Sequence, residues 1–310
     1  MSAKAVKFNK GTKIKKSTGE IIFDIFNYIF LGFLTLVCLY PLLHVLFCSF
    51  SDPITLMKHS GIMFGPLLPA TTMGYQLTFQ NSNILIGYKN TVFYVVVGTV
   101  LNVFFTGIAG YVLSRKDYIW RNVIMAMITF TMFFGGGMIP TYLVVKNLCM
   151  YDSRWAMIIP GLVTNYNMII CHTAMAGLPD GLIESAKLDG ANDFTIFIKI
   201  AMPLTKATMA VLTLYYAVGH WNAWFNALIY LRSNDKWPLQ MFLRQILIMN
   251  NMTEMTDANM QATGDADIVF MARELVQYAV IIVATAPILC VYPFIQKYFV
   301  KGVMIGSIKG

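Results

Sequence analysis

Six stretches of the chain are long and apolar enough to cross a lipid bilayer as helices. A spanning helix needs roughly 20 mostly apolar residues, because lipid offers backbone N–H and C=O groups no partner outside the helix itself. The composition agrees, since 57% of the residues are hydrophobic and only 12% are charged. The sequence therefore predicts an all-α polytopic membrane protein. Its spans are expected at about residues 21–50, 90–113, 123–145, 155–176, 207–231 and 275–299.

The Lys and Arg residues are distributed unevenly between the two sides of such a membrane domain. If the N-terminus is cytoplasmic, 15 of the 23 basic residues lie inside, and the positive-inside rule favours this orientation. Residues 1–20 then form a basic cytoplasmic tail, 21–299 the membrane domain and 300–310 a second cytoplasmic tail. The larger outer loops are 51–89 and 232–274. Topology and anionic lipid explain the net charge of +8, so we expect no nucleic-acid partner.

Motifs for metal binding, disulfide formation or nucleotide binding are not found in the sequence. The five cysteines and four histidines are scattered singly, without the paired spacing of zinc ligands. The glycine-rich phosphate loop that ends in Gly-Lys-Ser/Thr is missing too. We therefore expect no metal site, no catalytic residue and no cofactor bound by this chain.

The most polar segment between two predicted spans reads ESAKLDGANDFTIFIKIAMPL, at residues 184–204. Pro179 and Asp180 start a short helix that Asp189 and Gly190 end, and Asn192 or Asp193 can cap a second one. The orientation above places this segment in the cytoplasm. An amphipathic connector lying in the lipid headgroups would have a similar composition, and the local pattern alone leaves that alternative open.

The whole motif resembles the EAA loop of ABC importer permeases. Glu184, Gly190 and Pro203 match that pattern, while Ser185 stands for an alanine and Met202 for a leucine. The extended motif is most similar to the carbohydrate branch of the family, which includes the smaller permease subunit of the maltose transporter. The stretches IGYKNTVFYVVVGTVLNVFFTGIAGYVLSR, FFGGGMIPTYLVVKNLCMYDSRWAMIIP and QKYFVKGVMIGSIKG are similar as well, the last two to oligosaccharide and polysaccharide permeases in particular.

The resemblance implies a type I ABC importer permease that forms half of a translocation pathway in a bacterial cytoplasmic membrane. Its implied partners are a second homologous permease, two ATPase subunits that use ATP and Mg²⁺, an extracytoplasmic solute-binding protein, membrane lipid and a carbohydrate substrate. The chain itself is then a transporter subunit and not an enzyme. Residues 180–203, the coupling loop, are implied to seat on an ATPase subunit. The residues implied in coupling are Glu184, Ser185, Ala186, Asp189, Gly190 and Pro203.

Polar and aromatic residues inside the spans are candidates for sugar contacts, because an aromatic ring suits the apolar face of a pyranose. The candidates are Asn102, Thr106, Asn165, Tyr166, Asn167, Tyr215, Tyr216, His220, Trp221, Asn222 and Trp224. The same residue types also form interfacial belts and contacts between neighbouring helices, and the sequence does not choose.

Three further questions stay open at this level. The glycines at 135–137 either permit close helix packing, which we expect, or mark a broken helix that lines a cavity. The segment 232–274 either faces the binding protein or is a solvated loop. The chain is alternatively an importer for amino acids or peptides; an intramembrane enzyme is disfavoured because paired carboxylates are missing from the spans.

Overall fold

The computed structural model describes residues 17–248 and 274–291, and within these ranges the chain is helical without a strand. The predicted ends at 1–16 and 292–310, and the part of the outer loop at 249–273, lie outside the described residues. The helices are α1 (Thr18–Phe50), α2 (Pro53–Lys58), α3 (Met73–Gln80), α4 (Ser82–Ser114), α5 (Arg121–Phe133), α6 (Met138–Asn147), α7 (Asn165–Ala176), α8 (Asp180–Leu188), α9 (Asp193–Leu204), α10 (Lys206–Trp221), α11 (Trp224–Tyr230), α12 (Leu239–Ile248) and α13 (Glu274–Val291).

Three of the described helices are long and apolar enough to cross a membrane: α1, α4 and α13. They coincide with the first and second predicted spans and with the described part of the sixth, although α4 begins eight residues before the predicted 90. The count reaches five if each of two bent helix pairs forms one span. These pairs are α5 with α6, bent by 119°, and α9 with α10, bent by 87°.

The third and fourth predicted spans differ from the single helices that we expected, and the fifth is divided into α10 and α11 by a break at residues 222–223. The glycines at 135–137 interrupt the third, and Gly137 has a φ of +87°. No described atom lies within 4 Å of a Cβ placed on Gly135 or Gly137, so the expected close packing is not found within the described chain. The fourth span begins as two 3₁₀ turns, with Pro160 in the second, and only α7 is α-helical. The interruptions of the third and fourth spans occur where glycine or proline weakens an α-helix.

The long N-terminal helix begins at a capping box and contacts the rest of the chain near its C-terminal end. The Ser17 side chain accepts from the Glu20 backbone, and the Glu20 side chain accepts from the Ser17 N–H. At the other end Cys48 and Ser49 are buried, and the Ser49 hydroxyl lies 2.7 Å from the Tyr75 hydroxyl. Most of the helix between these ends exposes its apolar side chains.

Four buried clusters form the described core, and the two largest both include residues of α4. The first joins the C-terminal half of α4 to α7, α8, α9 and α10, and its members include Tyr111, Cys171, Ile183, Phe197 and Leu212. The second joins the N-terminal half of α4 to α12 and α13. The two short helices of the coupling loop are therefore packed directly onto three helices of the membrane domain.

Candidate functional site

The turn between α8 and α9 is a Schellman motif, a standard way to end a helix. The Ala191 N–H donates to the Ala186 carbonyl at 3.0 Å, and the Gly190 N–H donates to the Lys187 carbonyl at 3.0 Å. Gly190 has a φ of +81°, in the left-handed region that costs an L-residue about 1–2 kcal/mol. Gly190, which the sequence places at the end of the first short helix, is thus required by the backbone conformation.

The second helix of the loop starts immediately after this turn. The Asn192 side chain accepts from the Thr195 N–H at 2.8 Å, which makes Asn192 the N-cap of α9. A cap of this kind stabilises a helix start by about 1 kcal/mol. The sequence left Asn192 and Asp193 as alternatives, and the structure selects Asn192. Asp193 instead lies in the first turn, 3.5 Å from the Lys187 ammonium.

Ala186 faces the interior of the chain, which changes the reason for its small size. It is 8% exposed and belongs to the same buried cluster as Ile183 and Phe197. A larger side chain at this position would first collide with the core of this chain. The small size of Ala186 is therefore required by the packing of this chain itself.

A surface groove runs between α8 and α9, with a volume of about 390 Å³. We name it the elbow groove. Its lining residues are Leu182, Ser185, Ala186, Asp189, Lys199, Ile200, Pro203 and Leu204. Four of the six predicted coupling residues line it; Glu184 and Gly190 are exposed outside the lining. The groove is open to the surface, where side chains of another protein can reach it.

Ion pairs tie the coupling loop to the turn that follows α4. The Lys116 ammonium lies 2.6 Å from the Asp180 carboxylate, and the Lys187 ammonium lies 3.4 Å from that of Asp117. The hydrogen bond from Lys116 lowers the pKa of Asp180, and the charge of Asp193 raises the pKa of Lys187. Single exposed pairs contribute little to stability, but together they fix the loop against this turn.

Some of the predicted sugar-contact residues are hydrogen-bonded inside the chain. The Asn102 side chain is fully buried and donates to the carbonyls of Gly161 and Leu162 at 2.7 and 2.8 Å. Its oxygen lies 2.7 Å from His220 Nε2. Because the Asn102 amide nitrogen donates to both carbonyls, its oxygen is the acceptor and His220 Nε2 carries the proton. These two residues hold α4, the 3₁₀ turn and α10 together.

Tyr216 and Trp221 also make contacts within the chain. The Tyr216 hydroxyl lies 2.7 Å from that of Thr106 and accepts from the Thr164 N–H at 3.2 Å. The indole N–H of Trp221 donates to the Ala284 carbonyl at 3.1 Å. Asn167 is buried as well. In this conformation Asn102, Tyr216 and Trp221 connect separate segments of the chain through hydrogen bonds.

The remaining candidates present accessible surface. Tyr166, Asn222 and Trp224 are exposed, and the rings of Tyr166 and Tyr215 lie 6.4 Å apart. Asn165 is partly buried and donates to the Thr131 hydroxyl at 2.9 Å. The structure thus divides the candidates into residues that bond to other segments of the chain and residues that are exposed at its surface. The sequence did not predict this division.

Three residues relevant to function were missed by the sequence reasoning. Leu188, at the tip of the coupling loop, is 89% exposed, an unusual position for a leucine in a polar loop. Lys199 lines the elbow groove. Arg244 stacks on Trp224. An exposed apolar residue directly before the Asp-Gly turn was a readable signal for Leu188, whereas the other two depend on contacts between helices.

Residues that could hold a metal ion are not grouped in the part of the chain that the structure describes. There, no three His, Cys, Asp or Glu side chains come together. The chemistry of the described site is one of surfaces and hydrogen bonds.

The fold defines an integral membrane protein with a two-helix loop packed on its spanning helices. The chain belongs to the family described as "Binding-protein-dependent transport system inner membrane component", which it matches over residues 103–305. It is a membrane-embedded permease subunit of the type I ABC importer fold.

Two relatives from Bacillus subtilis (strain 168) and one solved structure are similar over nearly their whole length. The chain is 40% identical to "Polygalacturonan/rhamnogalacturonan transport system permease protein YtcP", covering 93% of this chain and 99% of the relative. It is 39% identical to "Protein LplC", covering 93% and 95%. A chain in the crystal structure of "a bacterial ABC transporter involved in the import of the acidic polysaccharide alginate" is 30% identical with a TM-score of 0.84, covering 93% of this chain and 100% of that one.

Proposed function

We propose that this chain is a permease subunit of an ATP-driven importer for oligosaccharides or other carbohydrates and that it forms half of the translocation pathway. The support comes from the family membership and from relatives named for polygalacturonan, rhamnogalacturonan and arabinooligosaccharide transport. These names favour carbohydrate over the amino-acid or peptide cargo that the loop motif alone leaves open.

The observation that carries the mechanism is the elbow groove on a loop packed onto the membrane helices. A motion imposed on α8 and α9 passes to α4, α7 and α10 through shared buried side chains, because packed interiors move as rigid bodies. An ATPase subunit on which the loop seats, with contacts at this groove, would drive alternating access in this way. Leu182 and Leu188 offer apolar contact, and Glu184 and Lys199 offer charge.

The complex proposed around this chain contains a second, homologous permease, two ATPase subunits and an extracytoplasmic binding protein. The ATPase subunits use ATP and Mg²⁺, whereas this chain binds no cofactor. Both termini are cytoplasmic, as the distribution of 15 and 8 basic residues suggests, and the membrane is the bacterial cytoplasmic membrane.

Filling the elbow groove tests the coupling role. Ser185 is exposed in the groove, so Ser185→Trp should occupy it without entering the core. Lys206→Trp is the matched control, because Lys206 is exposed at the start of α10 and outside the groove lining. We expect Ser185→Trp to reduce co-purification of the ATPase and oligosaccharide uptake in proteoliposomes, while the sister permease stays bound.

The control variant should retain both properties. Normal ATPase retention and uptake in Ser185→Trp would remove the groove from the mechanism. Failure of the wild-type complex to take up any carbohydrate, with transport of an amino acid or peptide instead, would overturn the substrate class.

A further inference from the structure

Arg244 and Trp224 form a stacked pair on the accessible surface of the described chain. The guanidinium carbon of Arg244 lies 5.3 Å from the centre of the Trp224 ring. Trp224 is 38% exposed and begins α11, directly after the break that ends α10. Arg244 lies on α12 and is partly exposed. The proposed topology puts this pair at the outer end of the fifth predicted span.

The Arg244 side chain is held by stacking and not by hydrogen bonds to described residues. Its Nε is buried and has no hydrogen-bond partner there. The ion pairs within residues 17–248 and 274–291 use Lys116, Lys187 and Lys236, so no described carboxylate pairs with Arg244. A buried N–H without an acceptor is unfavourable, and an arriving anion can relieve that cost after a small rotation of the guanidinium.

The packing of α12 leaves Arg244 between two buried sides of the helix, one of which carries Met241. Leu239, Phe242 and Ile246 face the cluster shared with α4 and α13. Gln240 and Arg244 are four residues apart and therefore lie on one side of the helix, and both are partly exposed. This side presents a guanidinium, an amide and an indole ring together.

That combination matches the chemistry of an acidic sugar. An indole ring packs on the apolar face of a pyranose, and a guanidinium binds a carboxylate through two parallel N–H···O bonds. The amide of Gln240 can both donate to and accept from hydroxyl groups. We propose that Arg244 and Trp224 form a subsite for a uronate residue, so that the carbohydrate carried by this importer is acidic. The inference rests on the proposed function and specifies its substrate class.

Direct binding to the assembled importer tests the subsite. The probes are trigalacturonate and its fully methyl-esterified form, which share ring and linkage but differ in charge. Each is titrated onto the detergent-purified complex without binding protein, followed by microscale thermophoresis. Variants Arg244→Gln and Arg244→Lys are compared with Arg232→Gln, since Arg232 is exposed and has no side-chain contact in the described structure.

We expect wild type to bind trigalacturonate more tightly than its methyl ester. Added salt should weaken the binding of trigalacturonate and leave the binding of the ester unchanged. Arg244→Gln should raise the Kd of trigalacturonate about tenfold and that of the ester less than about twofold, because only the acid loses a charge-assisted bond. The Kd of trigalacturonate for Arg244→Lys should lie between the values for wild type and Arg244→Gln. The Kd for Arg232→Gln should match that of wild type.

Four outcomes would overturn the subsite. They are equal affinity of wild type for acid and ester, salt-independent binding of the acid, equal loss of both ligands in Arg244→Gln, and no loss at all. Reduced retention of anionic lipid by Arg244→Gln, with unchanged sugar binding, would assign Arg244 to a phosphate headgroup instead. Uptake of neutral arabinooligosaccharides only would contradict the acidic class yet preserve the proposed function, whereas uptake of no carbohydrate would end both.

Discussion

The amide oxygen of Asn102 on α4 accepts a hydrogen bond from His220 Nε2 on α10 at 2.7 Å, although the two residues are 118 positions apart in the chain. The imidazole reaches this position because residue 98, one turn earlier on α4, is glycine. A Cβ at Gly98 would lie 2.4 Å from His220 Nε2 and 2.7 Å from Cε1. The bond between α4 and α10 therefore depends on a hydrogen atom in place of a side chain.

Gly98→Ala should consequently destabilise the protein by about 1–3 kcal/mol, since the imidazole must leave its place and Asn102 loses its donor. Gly219→Ala is the matched control on α10, because no atom of the described residues lies within 4 Å of its added Cβ. Alanine there should be neutral or stabilising by up to about 1 kcal/mol. Thermal unfolding in detergent, followed by a thiol-reactive dye, compares the two. Equal effects would show that the His220 position tolerates the extra methyl group.

Substitutions of Gly190, in the turn between α8 and α9, should form an ordered series. No described atom lies within 4 Å of a Cβ at Gly190, so a substitution acts through the backbone and not through a clash. With φ at +81°, tolerance should fall from Gly through Asn and Ala to Val. We expect ATPase co-purification and uptake to follow that order, with normal insertion throughout. An Asn variant as defective as Val would mean that the Schellman turn is not what the partner needs.

Tyr216 and Trp224 should respond differently to mutation, because the first joins helices and the second faces outward. Tyr216→Phe removes bonds to Thr106 and Thr164, which should cost about 1–2 kcal/mol of stability. Trp224→Leu should leave the melting temperature nearly unchanged but reduce uptake several-fold, through loss of a stacking contact. Melting and initial uptake rates are measured on the same preparations. A stable, transport-defective Tyr216→Phe would return Tyr216 to the substrate path.

Asp152 supplies a pH-dependent contribution to stability in the turn before the 3₁₀ segments. Partial burial acts to raise its pKa, but bonds from Ser233, the Arg232 N–H and Lys236 outweigh burial and hold the pKa well below its usual range. A folded pKa below the unfolded value means that the contribution is present above about pH 4 and is lost as the pH falls further.

Asp152→Asn should therefore lower stability by about 1–3 kcal/mol at pH 7, since the ammonium of Lys236 loses its carboxylate. The difference in melting temperature from wild type should stay constant between about pH 7 and 5 and shrink below about pH 4. Arg232→Gln, which keeps the backbone N–H bond to Asp152, provides the control. A difference that grows on acidification would contradict the assigned pKa direction.

Local chemistry made the coupling loop predictable from sequence. Proline, a capping residue and an Asp-Gly step mark helix ends within a few residues, so α8, the turn at Gly190 and α9 could be placed without tertiary information. The apolar runs behind α1, α4 and α13 were equally readable, because their length alone requires long helices.

Contacts between distant segments could not be derived in the same way. Asn102 reads as a polar residue in a span, and its bonds to Gly161, Leu162 and His220 depend on how three separate segments pack. The stacking of Arg244 on Trp224 is equally non-local. The break at 135–137 was visible as weak helix propensity, but propensity does not determine whether packing restores the helix or leaves it bent.

The long first helix has a consequence for the order in which the protein is made. Between its capping box at Ser17 and its buried end at Cys48 and Ser49, α1 satisfies nearly all of its own backbone bonds, Pro41 being the interior residue without an N–H, and it exposes its apolar side chains. Such a segment needs lipid and not later-made protein, so it can enter the bilayer while ribosomes are still adding the remaining spans. Polar residues near its end then serve as the anchorage to which α3 attaches once it emerges. Biogenesis can therefore begin with a helix that is complete before its neighbours exist.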